Sequence, residues 1–238
     1  MSGGRAAGMS VAQPSTLHTV LTARAVPYAR PETFSAIAKQ PTAGSVRVAA
    51  LGIEGDEQGD TRVHGGPDKA VHHYPFDHYA WWRDELGEHP LLQSPGAFGE
   101  NFSSSGWTED DVCLGDVVRA GTALLQVSQG RQPCWKLNDR FGQPHVARTM
   151  QHSGRTGWYY RVLQEGAVQA GDTLEIVERP HPAWTVRRLA DLLFNRTLDR
   201  DQLQAASALP LPPSWQKILG HRLATATVES WEKRLVGP

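Results

Sequence analysis

Short apolar runs separated by turn residues occupy the first two thirds of the chain. The runs SVRVAALGI (45–53), KAVHHY (69–74), GDVVRAG (115–121) and TALLQVSQ (122–129) have the length and residue pattern of β-strands. Gly115-Asp116 and Gly171-Asp172 stand just before apolar stretches, where a tight turn leads into a strand. Many short strands joined by turns predict a mainly β, barrel-like core.

Helical periodicity interrupts this pattern and later replaces it. Peripheral helices are predicted at PFDHYAWWRDEL (75–86), HVARTMQHSG (145–154) and GWYYRVLQEG (157–166). After Pro180-His181-Pro182, apolar residues recur at helical spacing in TVRRLADLLF (185–194), DRDQLQAASAL (199–209) and PPSWQKILGHRL (212–223), with Thr185 as an N-cap. We therefore predict a small C-terminal bundle of about three helices.

These patterns divide the chain into three parts. Residues 1–15 are small, Gly-rich and polar, and we predict that they are disordered. Residues 16–180 form the predicted β-barrel domain with its peripheral helices, and residues 184–238 form the predicted three-helix domain. A chain of 238 residues suits one domain with an appendage or two small domains, and either arrangement can bury a core without disulfides.

Composition and charge exclude several classes of protein. No apolar run approaches the roughly 18 residues of a membrane helix, and the N-terminus has no secretory apolar segment, so we expect a cytoplasmic protein that spans no membrane. The net charge of −1 gives no footprint for general nucleic-acid binding. The charge is uneven, with −4 over residues 1–180 and +3 over residues 181–238, a mild excess typical of a solvated helical surface.

The two cysteines lie in different settings. Cys113 is inside a strand pattern and is interpreted as a buried structural thiol. Cys134, in SQGRQPCWKLN (128–138), follows a proline and lies between Arg131 and Lys136, cations that favour a thiolate. Cys134 is therefore a candidate nucleophile or metal ligand, and a small core residue is the alternative.

A glycine-rich stretch, VHGGPDKAVHHYP (63–75), predicts an anion site. Gly65 and Gly66 leave the backbone bare, and Lys69 and the neighbouring histidines His64, His72 and His73 bring donors close to it. The spacing is not that of a Walker A loop. A tight turn with one core histidine is the alternative, and a zinc site is disfavoured because His72 and His73 point to opposite faces of a strand.

Two further loops carry weaker signals. GAFGENFS (96–103) places Asn101 on a glycine-bracketed loop, where recognition groups often lie. GIEGDEQGD (52–60) is acidic but lacks the ligand spacing of a calcium loop, and we interpret it as a solvated turn.

The order of these motifs resembles a known family. GDEQGD, VHGGPDKAVHHYP, GAFGENFS, LGDVV, QVSQGRQPCWKLN and TGWYYRVL follow one another as in the MOSC domain, the C-terminal fold of molybdenum cofactor sulfurase. The C-terminal helices, including PSWQKILGHRL, are similar to the three-helix extension of the YiiM-like, 6-N-hydroxylaminopurine-resistance subgroup. The resemblance covers about residues 16–237.

The resemblance implies a MOSC β-barrel that binds molybdenum cofactor (molybdopterin), with the thiolate of Cys134 as a ligand of the metal. Lys69, Arg131 and Lys136 are then candidates for the pterin phosphate, together with the backbone at Gly65 and Gly66. His64, His73, Asn101 and Asn138 are candidates for the pterin ring or the substrate, and His64 or His73 for proton delivery.

The same resemblance implies a reductase of N-hydroxylated bases such as 6-hydroxylaminopurine. The sequence contains no Rossmann fingerprint and no CxxC cluster, so the electrons are expected from a separate flavoprotein or iron–sulfur protein. Two alternatives remain: a persulfide carrier on Cys134, and a non-catalytic carrier of the cofactor. Whether the chain forms a homodimer is left open.

Overall fold

A computed structural model describes residues 12–60 and 65–237. The strands in these ranges are β1 (Ser15–Thr22), β2 (Val26–Pro27), β3 (Phe34–Ser35), β4 (Gln40–Pro41), β5 (Val46–Ala49), β6 (Gly52–Ile53), β7 (Val71–Pro75), β8 (Phe102–Ser104), β9 (Val117–Ala120), β10 (Ala123–Gly130), β11 (Trp158–Gln164), β12 (Gly166–Val168) and β13 (Thr173–Glu178). The helices are α1 (His78–Leu86), α2 (Lys136–Phe141), α3 (Val146–Ser153), α4 (Val186–Phe194), α5 (Arg200–Ser207), α6 (Pro213–Thr225) and α7 (Glu232–Val236). Short 3₁₀ turns lie at Pro67–Lys69 and Pro90–Gln93.

Seven strands close into a mixed barrel. Their order is β1, β8, β7, β11, β10, β9 and β13, and β13 pairs again with β1. The closing pairs are Ser15 with Leu174 and Thr16 with Thr173. The pairing of β7 with β8 is parallel, whereas the other pairs around the ring are antiparallel. A closed ring leaves its member strands without open edges.

The alternation of strand side chains separates two cores, and β7 shows this most clearly. Val71 belongs to the cluster of buried residues that fills the barrel, whereas Tyr74 belongs to a second cluster outside it. That second cluster joins the outer wall of the barrel to α1, α2 and α3 through Trp82, Phe98 and Leu137. The side chains of His72 and His73 therefore point to opposite faces, as the sequence predicted.

The C-terminal helices pack directly on the barrel. Thr185 caps α4 by accepting a hydrogen bond from the amide of Arg188 at 3.0 Å, which confirms the predicted N-cap. Buried residues of α4, α5 and α6 continue the barrel core without a break. Val186 and Trp215 approach Gly130 so closely that a Cβ there would lie 3.3 and 3.6 Å from their side chains. The helices thus support the end of β10.

The mainly β barrel with peripheral helices and a helical C-terminal part is confirmed. One predicted element is wrong: residues 157–166 form a strand, β11, and not a helix. Trp158 and Tyr160 both lie in the barrel core, which is the period-two pattern of a strand. The run 45–53 also divides into β5 and β6, which pair beside the barrel with β12 and stay outside the ring.

The sequence predicted the first strand boundary and the short helices less accurately than the main elements. β1 begins at Ser15, within the segment predicted to be disordered, and residues 1–11 of that segment lie outside the described residues. The short helices α2 and α7 had no prediction. Within 12–60 and 65–237, no helix has both the length and the apolar character needed to cross a bilayer.

Candidate functional site

A cavity of about 590 Å³, including its part open to solvent, lies against the outer wall of the barrel. Six separate stretches of the chain meet there. Its lining residues are Ser35, Ala36, Ile37, Lys39, Asp56, Glu57, Gln58, Gly59, Lys69, His72, Phe98, Gly99, Asn101, Arg131, Cys134, Lys136 and Tyr159. The cavity therefore gathers the predicted site residues Lys69, Asn101, Arg131, Cys134 and Lys136.

Cys134 lies on the loop between β10 and α2 and is partly exposed to the cavity. Cys113 is buried elsewhere, and its thiol donates to the carbonyl of Pro182 at 3.6 Å. Burial, with the nearby carboxylate of Asp116, raises the pKa of Cys113 to about 11. The two cysteines form no disulfide: Cys113 is a buried thiol, as predicted, and Cys134 lines the cavity.

Two lysines line the cavity together with Cys134. Lys69 ends the 3₁₀ turn after Gly66, and burial lowers its pKa, against the smaller opposing effects of the nearby Cys134 and Asp68. Lys136 opens α2 and donates from Nζ to the carbonyl of Phe34 at 2.5 Å. Burial also lowers the pKa of Lys136, against the opposing effects of Cys134 and Asp60. Partly desolvated ammonium groups beside a thiol create a strongly positive environment for an anion.

Arg131 and the loop 96–101 form another wall. The Arg131 guanidinium is buried and donates from Nη1 to the carbonyl of Phe98 at 2.6 Å. The Glu100 carboxylate shapes this loop by accepting from the amides of Gly96 at 2.7 Å and Phe98 at 3.1 Å. Glu100 is fully buried, so its role is to hold the loop that brings Phe98 and Asn101 to the cavity.

An ion pair that the sequence did not reveal forms part of the floor. The ammonium of Lys39 contacts the carboxylate of Asp56, and both side chains are less than a tenth exposed. Asp56 also accepts from the Asn101 side-chain amide at 2.8 Å and the Ala23 amide at 2.8 Å. Asp56 belongs to the acidic stretch that we interpreted as a solvated turn, and that interpretation is wrong for this residue.

His72 lines the cavity, whereas His73, the predicted site residue, does not. His73 lies in the barrel interior, where its ring nitrogens bond to the hydroxyls of Tyr160 at 3.1 Å and Ser104 at 2.8 Å. Burial lowers its pKa to about 3. Because His73 does not line the cavity and stays neutral near pH 7, we no longer assign proton delivery to it.

His72 lies on the opposite face of β7 and lines the cavity. Its Nδ1 is 3.3 Å from the carbonyl of Gly99, a partner that assigns the proton to Nδ1. Its Nε2 is buried and has no hydrogen-bond partner among the described residues. Burial, then the charge of Arg131, holds the pKa of His72 well below its ordinary value. A neutral imidazole with one unsatisfied nitrogen is a feature that a bound polar group completes.

Two other predictions have structural outcomes that differ from the expectation. Asn138 does not line the cavity: its amide donates to the carbonyl of Leu235 at 2.9 Å and accepts from the amide of Ala147 at 2.8 Å, which ties helices together. Gly65 and Gly66 do not line it either, although Gly66 has a φ of 97° and leads into the turn that delivers Lys69. His64 lies outside the described residues.

The donor set fits a cofactor-borne metal better than a metal held by side chains alone. Among the described residues, no three His, Cys, Asp or Glu side chains group in a way that could hold an ion. The cavity instead offers one thiol, which suits a soft, sulfur-ligated metal, and several cations, which suit a phosphate. These residues fit a phosphate-bearing cofactor whose metal takes a thiolate ligand, the kind of group that the resemblance implies.

Comparisons with known proteins agree with this geometry. The family model of the MOSC domain matches residues 60–175, and the model of the YiiM-like three-helix domain matches residues 184–226. Protein YiiM of Escherichia coli is 43% identical over 204 residues, which is 85% of this chain and 91% of that protein. The chain belongs to the YiiM group of the MOSC family.

Solved structures extend the relationship to three dimensions. The crystal structure of YiiM from Escherichia coli superposes with a TM-score of 0.80 at 34% identity, covering 94% of this chain and 100% of the other. The YiiM structure from Geobacillus stearothermophilus gives a TM-score of 0.75 at 33% identity, with coverage of 88% and 99%. The MOSC barrel and the helices α4–α6 are thus shared.

A relative of a different size adds information about activity. A protein of Gibberella moniliformis called a reductase is 39% identical over 196 residues. The match covers 82% of this chain and only 35% of the fungal protein, so the MOSC part is about a third of that reductase.

Proposed function

We propose that the protein is a molybdenum-cofactor-dependent reductase of N-hydroxylated compounds, such as 6-hydroxylaminopurine. The observation that carries the proposal is the position of Cys134: it lines a cavity whose wall also contains Lys69, Arg131 and Lys136. The reaction takes up two electrons and two protons, breaks the N–O bond of R–NH–OH, and yields R–NH₂ and water. The cofactor, when bound, supplies the two-electron chemistry.

The residues of the chain would divide the remaining work. The sulfur of Cys134 would hold the metal, and the ammonium groups of Lys69 and Lys136 would bind the phosphate of the pterin. Phe98 and Tyr159 give the cavity aromatic walls that suit a planar ring. These groups bind and orient, which is the protein's usual share of cofactor chemistry.

A hydrogen-bond donor for the polar atoms of the substrate is also required. Burial raises the pKa of Tyr159, so its phenol keeps its proton at neutral pH and can donate a hydrogen bond. The ring of Tyr159 lies 4.8 Å from that of His72, centroid to centroid, so the two form one polar-aromatic wall. Tyr159 is therefore our candidate for the group that hydrogen-bonds the substrate, one of the two roles first given to His73.

The electrons are proposed to come from a separate redox protein. The fungal reductase is almost three times as long as its match to this chain, and a longer reductase has room for a donor module of its own. A separate flavoprotein or iron–sulfur protein would take that part here. The substrate is then a small N-hydroxylated molecule, and the donor is a protein partner.

The decisive experiment compares wild type with Cys134→Ala after expression in a host that makes the cofactor, with Cys113→Ala as the matched control. We expect near-stoichiometric molybdenum and reduction of 6-hydroxylaminopurine with an artificial donor in wild type and Cys113→Ala, and loss of both in Cys134→Ala. Full activity in Cys134→Ala would contradict the assignment. A mass increase of one sulfur on Cys134 without metal would favour the persulfide carrier, and molybdenum without activity would favour the cofactor carrier.

A further inference from the structure

Arg234, on the short helix α7, holds the backbone on both sides of Cys134. Its guanidinium Nη1 donates to the carbonyl of Pro133. Its own carbonyl accepts from the amide of Trp135 at 2.8 Å. One residue thus binds the peptide group before the cysteine and the peptide group after it. Two hydrogen bonds of this kind restrict the direction in which the Cys134 side chain points.

Other bonds fix α7 in the place that this contact requires. Nη2 of Arg234 donates to Oε1 of Gln151 on α3 at 2.6 Å. The carbonyl of Leu235 accepts from the Asn138 side chain at 2.9 Å, and that of Val236 accepts from Nη2 of Arg30 at 3.0 Å. The side chain of Leu235 is buried in the second hydrophobic cluster. Hydrogen bonds to three other segments and one buried side chain therefore hold the helix in place.

The guanidinium of Arg234 is held by two neutral acceptors. Nη1 donates to the carbonyl of Pro133 and Nη2 to the side-chain oxygen of Gln151, so the guanidinium is kept in one orientation between the cysteine loop and α3. Arg234 therefore acts on the cysteine loop through its position.

This segment lies beyond both family matches. The MOSC model ends at residue 175 and the three-helix model ends at residue 226, whereas α7 spans Glu232–Val236. The contact between α7 and the Cys134 loop is therefore not part of either matched domain.

We propose that Arg234 is a positioning residue that sets the orientation of the Cys134 loop. The proposal rests on the proposed function in one respect: it takes Cys134 as the group that binds the cofactor. The arrangement of the loop itself is a property of this chain and can be measured without any assay of activity.

The first test is amide hydrogen exchange of the full chain. In Arg234→Met we expect the Trp135 amide to exchange about tenfold faster, because the loop loses charged hydrogen bonds, while strands β9 and β10 exchange as in wild type. Arg234→Lys keeps the charge and one donor, so its exchange rate should lie between the two. Glu232→Gln, on the exposed side of α7, is the matched control and should match wild type.

A Trp135 amide that exchanges at the wild-type rate in Arg234→Met would overturn the proposal. So would equal acceleration in all strands, since this would mark general destabilisation. If Arg234→Met does not fold, Arg234→Lys decides, because loss of one donor must still accelerate exchange at Trp135 above wild type.

The second test separates this inference from the proposed function. In the reductase assay, Arg234→Met should lower kcat about tenfold with little change in KM for the hydroxylamine, and Arg234→Lys should recover part of kcat. Reduced molybdenum content in Arg234→Met also supports the proposal. If wild type itself shows no reductase activity, the proposed function fails while the exchange result still stands or falls by itself.

Discussion

Replacing Gly157 with alanine tests how much stability is lost when a Cβ is placed against the barrel strand that carries His72 and His73. Gly157 precedes β11 with a φ of 68°, a conformation that L-residues adopt with strain. A Cβ there would lie 2.3 Å from the carbonyl oxygen of His73, 3.0 Å from Tyr74 and 3.3 Å from Nε2 of His72. The backbone at Gly157 also accepts from the Arg131 amide at 3.1 Å. The substitution therefore acts on two cavity residues at once.

The magnitude follows from two contributions. Left-handed backbone conformation at an alanine costs about 1–2 kcal/mol. Overpacking against backbone atoms adds about 1–3 kcal/mol, because the His73 carbonyl is fixed in the sheet. We expect Gly157→Ala to lower the free energy of unfolding by about 2–5 kcal/mol, which corresponds to a drop in Tm of about 2–4 °C for each kcal/mol in a chain of this size.

Gly142→Ala is the matched control. Gly142 has a φ of 64° at the end of α2, and a Cβ there would have nothing within 4 Å. It carries the strain without the overlap, so its loss should be about 1–2 kcal/mol. The assay is urea unfolding of both variants under one condition. Equal losses in the two variants would refute the reasoning, since the overlap at Gly157 would then have no cost.

Two further predictions concern buried titratable groups. His73 has a folded pKa of about 3 against 6.5 unfolded, so the unfolded chain binds more protons between these values and stability falls as pH decreases through that window. From about pH 6.5 to pH 5 the loss of unfolding free energy amounts to about 2 kcal/mol. Urea unfolding at several pH values should show a smaller loss over this range in His73→Gln than in wild type. An equal loss in the two proteins would contradict the assignment. Asp56→Asn leaves the ammonium of Lys39 buried without its carboxylate and should cost about 3–5 kcal/mol, whereas adding Lys39→Met should restore much of the loss. Urea unfolding of the single and double variants decides this, and a single variant as stable as the double would argue against a compensated ion pair.

The sequence predicted what depends on local pattern. The barrel followed from short apolar runs and turns, and the start of α4 followed from one capping side chain, Thr185. Cys134 could be found because a proline before it and a lysine two residues after it mark a loop with a positive environment. The order of the motifs along the chain carried the family resemblance, which the comparisons confirm.

The misses depend on contacts that no local pattern encodes. Every residue of β7, VHHYP, is buried, so no polar face distinguishes His72 from His73. Lys39 and Asp56 meet only through the fold, and neither lies in a motif that signals an ion pair. The stretch 157–166 was misread because three consecutive aromatic residues, Trp158 to Tyr160, hide the alternation that distinguishes a strand from a helix.

Because β1 pairs with β13, the barrel can close only late in translation. Ser15 leaves the ribosome early, yet its partner Leu174 is made only after the rest of the ring has been translated. Until then the growing chain exposes an edge strand with unpaired backbone groups, which can pair with other nascent chains. Since long-range pairing of this kind also slows folding, we expect slow maturation and a benefit from chaperones when the gene is expressed at high level.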